Sequence, residues 1–154
     1  MLKEQRQSDG DKHLTGRGRL VALDLGAKRT GVAVCDELQL SVRPLAALGG
    51  SEHRDFVTWV IALMEIYRPQ ALIIGLPLRL DGSDGDAARR VRGLARQLEL
   101  TLNLPVLLQD ERLTSVEAEE TLRSRGHRTH QQRRHLIDSE AAALVLRDFI
   151  QTSS

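Results

Sequence analysis

The first strongly apolar segment of this chain, residues 20–25, contains an aspartate, Asp24. A short segment with apolar residues on both faces is typical of a strand buried within a sheet. A carboxylate in such a strand is costly unless a cation pairs with it. Two explanations stay open: an ion pair with Arg19, Lys28 or Arg29, or coordination of a bound divalent cation. The fold must therefore bring Asp24 to a cation or a metal ion.

The length of 154 residues suits one domain with a real hydrophobic core. We expect a disordered polar leader over residues 1–18 and a single domain over residues 19–151. Residues 1–19 lack the apolar core of a signal peptide, and no apolar run is long enough to span a membrane. The single cysteine, Cys35, cannot form an internal disulfide, which suits a reducing compartment. These features predict a cytoplasmic protein with no membrane partner.

Apolar periodicity and turn residues predict a mixed five-stranded sheet with helices on both faces, an α/β fold. Three strands come first, and Pro44 should confine the third to an edge because proline cannot donate to a ladder. Helices then alternate with two further strands, and two final helices begin near Thr114 and Thr129, each at a capping box. The predicted strands are residues 20–25, 32–36, 40–45, 71–75 and 105–109.

Two more acids are expected to face the sheet. Asp138 lies three and four positions before Ala141 and Ala142, so it should share the apolar face of the last helix. Glu111 follows the fifth strand, at the end where open α/β sheets place their ligand sites. Asp110 is its rival. Side chains alternate along a strand, so only one of these two acids should reach the site.

Clustered carboxylates repel one another unless some are protonated or a cation neutralises them. Oxygen ligands without cysteine favour Mg²⁺ or Mn²⁺ over structural zinc. Two such ions can activate water and stabilise the leaving oxygen in phosphodiester cleavage. The alternative is that each acid caps a helix or pairs with Arg112. The roles of His127, His130 and His135 stay open.

The segment over residues 121–137 carries arginine and histidine but no acid. A block of one charge sign in an otherwise balanced chain indicates contact with a polyanion. The four aromatic residues fall on predicted helices outside this segment and outside the loops of the site, so we expect recognition through backbone and shape and predict no surface for base stacking. The arginines of the segment are Arg123, Arg125, Arg128, Arg133 and Arg134.

Four motifs together resemble the YqgF family, also called RuvX, bacterial nucleases of the ribonuclease H-like superfamily. The resemblance covers nearly all of the chain from Leu20 to Ile150. The motifs are Leu23-Asp24-Leu25-Gly26 with Gly31-Val32-Ala33-Val34, Ile74-Gly75-Leu76-Pro77 with Leu80-Asp81-Gly82-Ser83, Asp110-Glu111-Arg112-Leu113-Thr114 with Val116-Glu117-Ala118, and Asp138 with Ala141-Ala142.

The resemblance implies a ribonuclease H-like sheet in which Asp24, Glu111 and Asp138 are the catalytic acids and the ligands of Mg²⁺ or Mn²⁺. It thereby favours Glu111 over Asp110. Gly26 and Gly75 would let the substrate backbone approach. In related junction resolvases a further acid lies one helical turn after the last aspartate, where this chain has Ala141, and Glu140 is expected on another face. The expected nucleic-acid contacts are Lys28, Arg29, Arg79, Arg112, Arg128, Arg133 and Arg134.

Members of this family are described as nucleases that mature the 5′ end of the 16S ribosomal RNA precursor, and some as resolvases of four-way DNA junctions. The expected partner is therefore structured RNA or branched DNA. A symmetric junction cut needs two active sites related by a two-fold axis, so the resolvase alternative implies a homodimer.

Two other classes of protein share some of these sequence features. An actin-like or sugar-kinase ATPase also begins with a strand, Asp-x-Gly and a glycine-bearing hairpin, but it needs a second lobe for which this chain is too short. A non-catalytic nucleic-acid-binding module would explain the arginine-rich segment but not the buried acids.

Overall fold

The computed structural model describes residues 17–49, 53–112 and 130–153, and within these ranges it contains five strands and three helices. The order of the elements along the chain alternates strand and helix after an initial run of three strands. The elements are β1 (Leu20–Leu25), β2 (Arg29–Cys35), β3 (Val42–Gly49), α1 (His53–Tyr67), β4 (Ala71–Leu76), α2 (Asp86–Leu102), β5 (Val106–Asp110) and α3 (His130–Ser153).

The five strands form one mixed sheet in the order β3-β2-β1-β4-β5. The pairs β1–β2 and β2–β3 are antiparallel, whereas β1–β4 and β4–β5 are parallel. The carboxyl ends of β1, β4 and β5 therefore meet at one end of the sheet, which we call the carboxyl edge. This architecture confirms the predicted mixed sheet and the predicted edge position of the third strand.

Helices cover both faces of the sheet, each over its own apolar cluster. Beneath α1 and α2, the core includes Leu23, Ile74 and Leu98, none of which is exposed. On the opposite face, the buried alanines of α3 and Val145 pack against alternate residues of β1 and β4. Small side chains let α3 lie close to the sheet. The alternation of side chains along β1 places Asp24 on the α3 face, with Leu20 and Ala22.

Two predicted strand boundaries are wrong. β2 begins at Arg29, before residue 32, and its pairing with β3 shifts register between Thr30 and Val32. β3 runs over Val42–Gly49 instead of residues 40–45, because residues 36–41 form a turn. In this turn the Asp36 carboxylate accepts the backbone N–H groups of Leu40 and Ser41, each at 2.8 Å. Local side-chain bonds of this kind compete with strand pairing.

Several predicted features lie outside the described residues: residues 1–16 of the leader, the helix that should begin near Thr114, and most of the arginine-rich segment. Gly18, at the end of the predicted leader, donates its N–H to Glu37 O at 2.6 Å. Cys35 is buried in the core as predicted. None of the helices within the described ranges has the length and apolarity needed to cross a membrane.

Candidate active site

Two carboxylic acids meet at the carboxyl edge, one from each side of β4. Asp24 is the last but one residue of β1, and Glu111 directly follows β5. The backbone N–H of Glu111 donates to Leu76 O at 3.3 Å, which fixes the start of its side chain beside the end of β4. The side chain of Glu111 is hydrogen-bonded to that of Asp24. Residues far apart in the chain are thus joined in one carboxyl pair.

Gly75 makes room for this pair. Leu23 pairs with Ile74 and Gly75 pairs with Gln109, so Gly75 lies on the strand between the two acids. A Cβ atom built on Gly75 would overlap Oε2 of Glu111 and would lie 3.0 Å from its Cδ. The same Cβ would lie 3.3 Å from Val145 Cγ2 on α3. The missing side chain therefore supplies the space that the Glu111 carboxyl group occupies, and the approach of nucleic acid at Gly75 stays a prediction.

Burial, the hydrogen bond to Asp24 and the negative charge of Asp24 together raise the pKa of Glu111 to about 9, and burial is the largest of these causes. A neutral carboxyl group can donate a hydrogen bond to a carboxylate, so at neutral pH the metal-free pair holds a proton between Asp24 and Glu111. A pair that keeps a proton in this way is an oxygen-rich site in which a bound cation would take the place of the proton.

This raised pKa predicts how stability depends on pH when a chelator is present. A carboxyl group with a higher pKa in the folded state loses its stabilising effect as pH rises, because the unfolded chain releases its proton first. The free energy of unfolding should therefore fall between the ordinary pKa of 4.5 and the raised pKa of about 9. The fall is at most about 1.4 kcal/mol per pH unit. Glu111→Gln keeps the donor and removes the titration. We therefore expect it to melt increasingly above the wild type between pH 5 and pH 9.

The matched control for this melting series is Glu65→Gln, which changes an exposed glutamate of α1. Its difference from the wild type should stay constant across the pH range. Parallel pH profiles for Glu111→Gln and the wild type would contradict the protonated pair.

Asp110 points away from this pair, as the alternation along β5 predicts. The guanidinium of Arg112 holds the Asp110 carboxylate, with Nη2 and Nε at 2.7 and 2.8 Å from Oδ2. These bonds hold the pKa of Asp110 below its usual range. The ion pair that the sequence left open for either acid is thus formed by Asp110, and Glu111 is the acid that reaches Asp24.

Asp138, the third predicted acid, lies in α3 about one helical turn before Ala142. Its side chain lies outside the part of the molecule that the structure describes, so its place in the site stays a proposal. In the described residues, no group of three or more acidic, histidine or cysteine side chains is arranged to hold a metal ion.

Glu140 is a buried acid that the sequence analysis assigned to another face of the last helix. Its side chain is only 2% exposed, and its Oε2 lies 4.0 Å from Nη1 of Arg147. Arg147 also donates to Val42 O of the edge strand at 3.5 Å. The sequence feature that could have indicated this burial is Arg147, which lies seven positions later, two turns along the same face of the helix. Glu140 takes part in an ion pair on the β3 side of the helix.

Several predicted nucleic-acid contacts lie at the carboxyl edge. Lys28 lies in the β1–β2 turn and Arg29 is the first residue of β2, whereas Arg79 lies in the loop after β4 and Arg112 follows Glu111. Lys28 and Arg79 are exposed there. Arg112 also has a structural role, because its Nη1 donates to Leu80 O at 3.1 Å and ties that loop to β5. Arg128 lies outside the described residues, as do the side chains of Arg133 and Arg134.

Gly26 has a local structural role in the β1–β2 turn. Its N–H donates to Arg29 O at 2.9 Å, and a Cβ atom on Gly26 would lie 2.6 Å from that same oxygen. A side chain at this position would therefore collide with the backbone of the turn. Approach of the substrate backbone at Gly26 is compatible with this geometry and stays a prediction.

The carboxyl pair fits a hard divalent cation. Asp24 and Glu111 supply oxygen donors only, and the proton that they share marks the position that a cation would take. Mg²⁺ is commonly held by one or two carboxylates, with water and substrate phosphate completing its coordination. The described residues thus fit such an ion without a full protein cage.

Comparison with known proteins agrees with this fold. The model of the RuvX family, described as Holliday junction resolvase, matches residues 18–152. A protein of Syntrophus aciditrophicus named as a candidate pre-16S rRNA nuclease is 40% identical over 136 residues, covering 88% of this chain and 90% of the relative. A protein of Anaeromyxobacter sp. with the same name is 38% identical over 132 residues, covering 86% and 96%.

Solved structures support the ribonuclease H-like fold. RuvC of Thermus thermophilus superposes with a TM-score of 0.53 at 15% identity, covering 87% of this chain and 96% of that structure. The fowlpox virus resolvase in complex with Holliday junction DNA superposes with a TM-score of 0.52 at 11% identity, covering 87% and 97%. At these identities the likeness concerns the fold alone.

Proposed function

The chain belongs to the RuvX family, and from that premise we propose that it is a metal-dependent nuclease that hydrolyses phosphodiester bonds in structured nucleic acid. We propose the 5′-end processing of pre-16S ribosomal RNA as its reaction, because relatives about 40% identical carry that name. A nuclease for this precursor would act in the cytoplasm, where the RNA is made.

The observation that carries the proposal is the hydrogen-bonded, half-buried Asp24–Glu111 pair at the carboxyl edge. The side chain of Asp24 is hydrogen-bonded to that of a second acid, Glu111, so two carboxyl groups from different strands share one place at the end of the sheet. Grouping two acids has a cost in the metal-free protein. That cost is understandable if the pair serves to bind a cation during the reaction.

In this proposal Asp24 and Glu111 hold Mg²⁺ or Mn²⁺, and Asp138 is a third ligand. When bound, such an ion would neutralise charge on the phosphate and activate water for attack. The chain itself positions the two carboxyl groups. Their strands are hydrogen-bonded within one sheet, and the absence of a side chain at Gly75 leaves the space that the Glu111 carboxyl group occupies. Asp24 and Glu111 would release their shared proton on holding such an ion, because metal ligands must be deprotonated.

The cations at the carboxyl edge would hold the phosphodiester backbone. Lys28, Arg29, Arg79 and Arg112 lie near the strand ends at this edge, in or directly after the connections that follow β1, β4 and β5. We assign the same role to Arg128, Arg133 and Arg134 because they belong to the arginine-rich segment, which carries no acid. Contacts of this kind position the substrate without reading its sequence.

The direct test compares two substrates under the same conditions. The full chain is incubated with a precursor RNA that carries the 5′ extension of 16S rRNA, and with a four-way DNA junction, each with Mg²⁺, Mn²⁺ or excess chelator. We expect cleavage of the RNA at its mature 5′ end with either metal and none in chelator. Undiminished cleavage in chelator would contradict the metal-dependent mechanism.

Junction resolution is the second candidate, supported by the description that the family model carries. It needs a homodimer, because two symmetric cuts require two sites related by a two-fold axis. A dimeric molar mass in solution, together with paired nicks in the junction and intact precursor RNA, would reverse the ranking of the two substrates.

A further inference from the structure

A cavity opens at the carboxyl edge on the face of the sheet opposite α3. It lies between the β1–β2 turn, α1 and the first turns of α2, and its volume is about 470 Å³. This size falls in the range of about 300–1,000 Å³ that is typical of small-molecule sites. We call it the edge pocket.

The edge pocket combines apolar walls with a basic rim. Phe56 and Val91 are buried at its walls, and Leu25, Pro77 and Leu94 complete the apolar surface. α2 contributes residues 87, 90, 91 and 94 to the wall, because the helical repeat places these positions on one face of the helix. An aromatic ring beside aliphatic side chains suits a flat, apolar group such as a nucleobase.

The rim carries positive charge with no acid. Lys28, Arg29 and Arg90 line the edge pocket, and its lining within the described residues includes no aspartate or glutamate. Two other arginines of α2 are paired: Arg89 with Asp86 at 2.9 Å, and Arg92 with Asp84 at 2.7 Å. Within the described chain, neither Lys28 nor Arg90 has an ion-pair partner. Such a rim is complementary to phosphate.

The edge pocket adjoins the candidate active site along the chain. Leu25 and Gly26, which line it, directly follow Asp24, and Pro77 directly follows β4. Because neighbouring residues of β1 point to opposite faces, the acid and the pocket wall lie back to back at the same strand end. A nucleic-acid strand that crosses the carboxyl edge at Asp24 would therefore meet the mouth of the pocket at the same end of β1.

We propose that the edge pocket receives one unpaired nucleobase next to the phosphodiester that is cut, with Lys28 and Arg90 holding its phosphate. The proposal rests on the proposed nuclease function and adds a substrate feature to it. A base in a duplex is stacked on both sides and cannot enter, whereas an unpaired base is extruded at lower cost. The enzyme should therefore prefer a site with a mismatch or single-stranded nucleotide beside the cut. The proposal departs from the expectation of recognition through backbone and shape, because it assigns base recognition to Phe56.

Binding to the edge pocket can be measured without cleavage. Trp59 is the single tryptophan of the chain, and its ring centroid lies 6.0 Å from that of Phe56, so its fluorescence should respond to a base in the pocket. We expect saturable titration with adenosine 5′-monophosphate and much weaker responses to ribose 5-phosphate and inorganic phosphate. Arg90→Ala should weaken the nucleotide about tenfold or more, because it removes a charged hydrogen-bond donor.

Arg96→Ala is the matched control, since it removes an exposed arginine of the same helix that does not line the pocket. It should leave nucleotide binding unchanged. Equal binding of adenosine 5′-monophosphate and ribose 5-phosphate would overturn the assignment to a nucleobase, as would absence of saturation or equal effects of the two arginine variants.

A second measurement separates this inference from the proposed function. Two RNA duplexes differ only in whether the nucleotide beside the cut is paired, and both are given to wild type and Arg90→Ala. We expect the wild type to cut the unpaired substrate faster and Arg90→Ala to lose that preference. Equal rates on both substrates would overturn the pocket while the nuclease function stands. Saturable, Arg90-dependent nucleotide binding without any cleavage would support the pocket while the nuclease function fails.

Discussion

Asp24→Asn is expected to abolish cleavage and to leave the fold intact. The change keeps the shape of the side chain and its capacity to bond Glu111, but it removes the charge that would hold a divalent cation at the carboxyl edge. Loss of one electrostatic group in a catalytic site typically lowers the rate by about 10²–10³-fold. We expect a loss of at least this size with Mg²⁺ and with Mn²⁺, measured as the initial rate on a cleaved substrate.

Melting and binding measurements separate this result from simple misfolding. The metal-free pair shares a proton at neutral pH, and an asparagine at position 24 can still accept a hydrogen bond from Glu111, so the metal-free variant should melt within a few degrees of the wild type. Affinity for uncut nucleic acid in chelator should be retained. An aspartate in an ordinary ion pair behaves in the opposite way, because its loss leaves a buried cation unpaired and destabilises the fold.

The control is Asp55→Asn, which alters an exposed aspartate in the first turn of α1. It should cleave at the wild-type rate. Full cleavage by Asp24→Asn would remove this residue from the catalytic set, and with it the proposed site.

The part of the site that could be predicted from sequence depends on strands. An acid inside an apolar strand marks Asp24 because burial of a lone carboxylate is unfavourable. Alternation along β5 predicts that Asp110 and Glu111 separate, and the structure confirms this by pairing Asp110 with Arg112 and Glu111 with Asp24. Both patterns, the acid within an apolar strand and the alternation along β5, involve residues that are close together in the chain. Such patterns can be recognised in a single sequence.

The parts that could not be predicted depend on neighbours that are distant in the chain. No local pattern indicates that Gly75 makes space for Glu111, because that space is defined by the adjacent strand and by Val145 of α3. The edge pocket likewise joins Lys28 to Phe56 and Arg90, three residues from different elements. The error in the predicted start of β3 has a local cause instead. The side chain of Asp36 accepts the backbone N–H groups of Leu40 and Ser41, which were expected to belong to the strand.

Gly75→Ala is expected to lower the cleavage rate by about a hundredfold with little loss of stability. The new methyl group would overlap Oε2 of Glu111, and the end of that flexible side chain can move aside. Its carboxyl group would then leave the position beside Asp24. A displacement of about 1 Å in a catalytic group can cost about 10²-fold in rate. Replacing glycine also restricts the unfolded chain, which offsets part of the strain.

Gly93→Ala provides the matched control, because the same methyl group on α2 would meet nothing within 4 Å. Alanine is favoured over glycine within a helix by up to about 1 kcal/mol, so this variant should melt at a slightly higher temperature and cleave at the wild-type rate. A Gly75→Ala protein that melts within a few degrees of the wild type but has lost activity would identify Gly75 as a positioning residue for Glu111. Full activity in Gly75→Ala would mean that the close approach of the two carboxyl groups is not required for cleavage.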